Sequence, residues 1–193
     1  MSRAYIALIN TVIVILGMVL SGVTIDFIIT RLTLVIYKYL GNFMTLLIMN
    51  YLTFVGVIHH ELSHALFAFI TGADVIKVDL FKVTNNTLGQ VVYRPRGNMF
   101  LRSIQNTLSA IAPMVTGIFS EYTLYNILTK YKLNGSIKVL IYYLMISILC
   151  HMRLSNQDIK MMLRGLLIFS LIIFIIMYIT QFNLFTYLHI KSV

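Results

Sequence analysis

The chain has 193 residues, 59% of them hydrophobic and only 11% charged, and a mean hydropathy of +0.88. A soluble domain carries about 25% charged residues, so this chain lacks the polar side chains to cover a water-facing surface and is expected to be a polytopic membrane protein. Fifteen Lys and Arg against six Asp and Glu would point to nucleic acid in a soluble protein; cationic cytoplasmic loops on a bilayer explain the excess, and no nucleic-acid partner is expected.

A spanning helix needs about 20 apolar residues. Residues 4–25 are free of charge and predict a retained first span rather than a cleaved leader. Asp26, Arg31 and Lys38 then interrupt, as an interfacial segment would. Residues 39–58 are again uncharged and run without a breaker into His59-His60-Glu61-Leu62-Ser63-His64 and on to residue 70, where Thr71-Gly72 ends the helix. Residues 75–80 alternate apolar and polar, residues 84–89 read as a turn region, and residues 90–93 as a returning strand. Residues 103–120 predict a third span, kinked by Pro113 and Gly117. Residues 135–152 predict a short fourth span and residues 165–190 a fifth. The expected fold is thus all-α and polytopic, with about five transmembrane helices and a β-hairpin-like insertion after the His-rich helix. With a cytoplasmic N-terminus, Arg3, the hairpin cations and the Arg153–Arg164 cluster fall inside, which favours that orientation in a multi-pass cell-membrane protein.

His60-Glu61-Leu62-Ser63-His64 has the pattern H-E-x-x-H. Residues four apart share a helix face, so His60 and His64 can aim their rings at one ion, with Glu61 beside it as general base toward an attacking water. Ionisable groups in a membrane helix are costly, which makes them functional candidates. A catalytic zinc site takes three protein ligands and keeps one position open. Candidates for the third ligand are Asp158, His151 and Glu121, and less plausibly Asp74 and Asp79. Asp158 matches the depth of the motif, and Ser155-Asn156-Gln157-Asp158 also reads as a capping box. Glu121 falls toward the opposite membrane face. His59 points elsewhere on the helix. Cys150, alone, cannot form an intramolecular disulfide.

The H-E-x-x-H helix, followed by Thr71-Gly72-Ala73 and the strand-like segment, resembles the site-2 protease family of intramembrane zinc metalloproteases, closest to its small bacterial branch without a PDZ domain. The resemblance implies a single membrane-embedded metalloprotease-like domain over residues 1–193. It implies Zn2+ held by His60, His64 and Asp158, Glu61 as the catalytic acid/base, and a membrane protein or peptide as substrate. The family's later motif has Asn and Pro upstream of the Asp and Gly after it; here the neighbourhood is Ser155-Asn156-Gln157-Asp158-Ile159-Lys160. Residues 75–80 or 90–93 are the expected edge for holding an unwound substrate strand, with Asn85, Asn86 and Asn98 as candidate contacts to a substrate carbonyl. The alternative reading is a catalytically silent zinc-binding membrane protein that binds or sequesters a partner.

Overall fold

The computed structural model describes residues 2–80 and 89–184. In chain order these form α1 (Arg3–Leu46), a π-helical segment (Leu47–Leu52), α2 (Phe54–Ile70), β1 (Asp74–Asp79), β2 (Gln90–Arg94), α3 (Met99–Lys130), α4 (Gly135–His151) and α5 (Asn156–Thr180). Most of the helix starts are written locally. Ser2, Asn98, Asn134 and Ser155 each accept a backbone N–H at an N-terminus. Gly72, at φ 84°, lets α2 end with the Ala73 N–H on the Ala68 carbonyl, as a Schellman turn requires.

Among the described residues, two stretches, Arg3–Leu52 and Asn156–Thr180, are long and apolar enough to cross a membrane; Phe54–Ile70 and Gly135–His151 are apolar but shorter. Several expected boundaries move. The helix continues through Asp26, Arg31 and Lys38, which do not interrupt it, and breaks instead at Gly41 (φ 74°, ψ 177°). The charge-free run into the H-E-x-x-H motif is not one unbroken helix. The Thr53 hydroxyl takes the Met49 carbonyl at 2.8 Å, the backbone widens to a π-turn, and α2 starts afresh at Phe54. His60 therefore lies in the second turn of its helix, not deep along it. Helix α3 runs well past both ends of the expected third span. Helix α5 begins at Asn156, nine residues before the expected start, because the capping box at Ser155 nucleates it and carries Lys160 and Arg164 inside the helix. Of the turn region expected at 84–89, residues 84–88, with Asn85 and Asn86, lie outside the described residues, as does the end of the expected fifth span (185–190).

Contacts between elements fix the helix directions. Helices α2 and α4 run parallel: Tyr143 bonds the Leu52 carbonyl, Ser147 the Gly56 amide, and the His151 carbonyl the His60 ring. Helix α2 runs antiparallel to α3, through His59–Ser120, Ser63–Thr116 and Thr71–Gln105. Helix α5 is also antiparallel to α3: Gly117 meets Met152, whereas Gly165 meets Thr107 and Ser103. Helices α4 and α5 therefore continue in the same direction, with residues 152–155 as a break between them. The sequence had placed two opposed spans there. Helix α1 is antiparallel to α5, from Gly22 against Leu154 to Arg3, whose guanidinium takes the carbonyls of Tyr178 (2.8 Å) and Ile179 (3.1 Å) at the end of α5.

The helices approach closely where side chains are small. A Cβ on Gly56 would lie 1.9 Å from the Ser147 carbonyl oxygen, and one on Gly165 2.0 Å from the Thr107 hydroxyl. Ala110, Ile111, Met114, Leu154 and Met162 form an apolar core that joins α3 to the break and to α5. The antiparallel hairpin β1–β2 carries a register irregularity between Val75 and Lys77. It is tied to the bundle by Gln105, which is fully buried, accepts the Arg96 N–H and donates to the Thr71 carbonyl.

Candidate metal centre

His60 and His64 sit one turn apart on α2, and Asp158 sits on the first turn of α5. One ligand atom from each lies within 4.8 Å of the other two, so His60, His64 and Asp158 form a group that could hold a metal ion. The two Nε2 atoms are 3.1 Å apart, and Asp158 Oδ1 is 3.5 Å from His64 Nε2. His64 and Asp158 are buried.

Each imidazole is oriented through its far nitrogen. His60 Nδ1 donates to the His151 carbonyl at 2.6 Å, and His64 Nδ1 to the Ser109 carbonyl at 2.7 Å. A neutral ring has one N–H. With that proton on Nδ1, both Nε2 lone pairs converge, and a cation between them satisfies both.

Both acceptor carbonyls are available for a definable reason. In an α-helix the carbonyl of residue i takes the N–H of i+4. Four residues after Ser109 stands Pro113, inside α3, which has no N–H to give. Four residues after His151 stands Ser155, whose N–H goes to Asp158 Oδ2 at 2.8 Å. A helix defect thus supplies each carbonyl that holds a histidine. Asp158 divides its two oxygens: Oδ2 closes the capping box, with the Asp158 N–H returning to the Ser155 hydroxyl at 3.1 Å, while Oδ1 faces His64.

Glu61 lines the same cavity, of about 910 Å³, as the three ligand-type side chains. Its carboxylate accepts from the Val91 backbone N–H on β2. An N–H spent on Glu61 points away from β1, so the outer edge of β2 faces the centre. Gln90, Val91 and Tyr93 all line the cavity, whereas no residue of β1 does. The approach is tight at Gly89, where a Cβ would lie 2.5 Å from Glu61 Cγ. The Tyr93 hydroxyl contacts Met161 Sδ at 3.4 Å. Burial raises the Tyr93 pKa, a hydrogen bond with the Ser109 hydroxyl opposes the shift, and the Asp158 charge adds to it, which keeps the phenol protonated.

The other candidates go elsewhere. His151 contributes its backbone carbonyl to the centre, while its ring bonds the Ser147 carbonyl. Glu121 lies three turns beyond Ser109 on α3 and is not in the group. Asp74 pairs with Arg96 and Asp79 with Lys77. His59 bonds Ser120, and Asn98 caps α3. Sequence reasoning missed the roles of Ser109, Gly89 and Asp26, the last of which lines the cavity from α1. Pro113 was the one available signal for Ser109.

The chain matches no protein-family model, no curated protein and no solved structure.

Proposed function

We propose that the chain is a multi-pass membrane protein and a zinc metalloendopeptidase, cleaving a membrane-associated or transmembrane substrate near the cytoplasmic face. The observation that carries this reading is the convergence of His60 Nε2, His64 Nε2 and Asp158 Oδ1 beside Glu61 in one cavity. Two ligands about 2.0–2.1 Å from one tetrahedral ion lie roughly 3.3 Å apart, close to the 3.1 and 3.5 Å of the two pairs that share His64; all three ligand atoms lie within 4.8 Å of one another. Two neutral imidazoles and one carboxylate are the donor set of a catalytic zinc site with one position left open.

A bound zinc ion supplies Lewis acidity, lowering the pKa of a water and polarising a peptide carbonyl. Glu61 takes the proton of the attacking water on its carboxylate and passes it to the departing amide nitrogen. The Val91 N–H holds that carboxylate on the cavity side. The outer edge of β2 receives the substrate backbone as an added strand, which unwinds it and exposes the scissile bond. In this reading α4 and α5 form one broken crossing. Ser109 lies ten residues, about 15 Å, from the hairpin end of α3. With Lys77, Arg94 and Arg96 of the hairpin region and Arg102 of the first turn of α3 cytoplasmic, the centre lies nearer that face.

The test is zinc content and cleavage of fluorescent casein by detergent-purified wild type and Glu61→Gln. One zinc per chain in both, with cleavage in wild type and a loss of roughly 10²-fold or more in Glu61→Gln, is expected. Zinc in wild type without cleavage of casein or of a fluorogenic single-span membrane peptide in the same micelles selects the silent zinc-binding reading. Wild type without zinc, beside a control metalloprotein that keeps it, refutes the metal centre.

A further inference from the structure

We propose that Pro113 is a positioning residue of the metal centre: by withholding an N–H from the Ser109 carbonyl, it reserves that carbonyl for His64 Nδ1 and so fixes which nitrogen His64 offers to a metal. This rests on the metal-centre reading above. Pro113 belongs to α3 and is not among the residues that line the cavity, so its effect is transmitted through one backbone oxygen.

Three observations combine. Ser109 and Pro113 are both fully buried, and a buried carbonyl needs a donor. Pro113 removes the donor that the helix would supply and crowds the carbonyl four residues back, tilting it off the helix axis. The His64 ring occupies the direction thus opened, at 2.7 Å, and the Ser109 hydroxyl returns a bond to the His64 carbonyl at 3.1 Å. The α2–α3 pair is thereby locked on both sides of the ligand. An interior proline weakens a helix, yet here the weakened turn has a ligand histidine as its partner. Two tautomers are open to an unlocked imidazole, and only the Nδ1–H form presents a lone pair at Nε2.

Substituting Pro113→Ala restores an N–H at position 113. The turn closes, the Ser109 carbonyl takes the backbone donor, and His64 gains access to the Nε2–H tautomer. Groups that orient a metal ligand in this way are worth 10- to 100-fold in metal affinity; a loss of about tenfold or more in zinc affinity is expected, with His60 and Asp158 unchanged. The experiment has two readouts. The first is zinc affinity by competition with a chromophoric chelator. The second is the tautomer of His64 in metal-free protein, read from ring 15N shifts, which needs no metal and no activity. A third protein carries lactic acid at position 113, the ester analogue of alanine; it lacks both the ring and the N–H.

The expected pattern is a pure Nδ1–H tautomer in wild type, a mixture with weakened zinc binding in Pro113→Ala, and recovery of both with the ester. Pro113→Ala with the wild-type tautomer and zinc affinity within twofold of wild type overturns the proposal. A zinc loss that the ester does not restore also overturns it, since that loss comes from packing around the missing ring. Wild type that binds no zinc refutes the metal centre, while the tautomer comparison still decides the role of Pro113.

Discussion

Asp158 offers a perturbation in which two roles can be separated oxygen by oxygen. Its Oδ2 closes the capping box of α5, and its Oδ1 faces His64. Asp158→Ala removes both. Loss of the cap costs about 1 kcal/mol, and the metal ligand is gone. Asp158→Asn keeps an oxygen to accept the Ser155 N–H and places an amide NH2 against His64 Nε2, so the metal-free protein should unfold within about 0.5 kcal/mol of wild type. Zinc at 1,000 times its dissociation constant stabilises wild type by about 4 kcal/mol, because only the folded state assembles the site. Neither variant should gain this at the same zinc concentration. The assay is unfolding by graded sodium dodecyl sulfate in mixed micelles, with and without zinc. Asp158→Asn losing as much metal-free stability as Asp158→Ala would refute the division of the two oxygens. Zinc stabilisation surviving in Asp158→Asn would remove Asp158 from the centre.

Two further outcomes are expected. Gly89→Ala drives a Cβ into Glu61 Cγ, so casein cleavage should fall at least tenfold while zinc content stays at one per chain; unchanged cleavage would show that β2 does not hold Glu61. Gly56→Ala forces a methyl against the Ser147 carbonyl and should destabilise the protein by about 3 kcal/mol, measured by the same detergent unfolding; a change under about 0.5 kcal/mol would contradict the close α2–α4 approach.

The local parts of the centre were readable from the residues alone. The His60–His64 spacing needs only an α-helix, and the Ser155–Asp158 pair needs only the start of one, so both emerge from short-range rules. The hairpin was readable from its alternation, as was its position after α2. The direction of α5 was not. Charge and hydropathy say where a helix lies but not whether four intervening residues reverse it, and that depends on α3 lying alongside both α4 and α5. The π-turn before α2 was hidden for a similar reason: Thr53 is an unremarkable residue until its hydroxyl finds the Met49 carbonyl. Pro113 could be read as a kink, but which side chain takes the released carbonyl is decided by the neighbouring helix. The three ligand-type residues expected from the sequence, His60, His64 and Asp158, are the ones the fold brings into one group that could hold a metal ion.

The place of Asp158 on the last described helix bears on the order in which the molecule is made. His60 and His64 leave the ribosome early, and their partner follows only after the hairpin, α3 and α4. Until α5 is in place, the two imidazoles have at most a two-point hold on a cation, which is weak and exchangeable. The centre as read here therefore closes late, after Ser109 and the end of α4 have already set both rings. A nascent chain stopped at His151 would carry the motif with Glu61 and yet lack the third member of the group, so a site able to hold a cation would be complete only once α5 is in place.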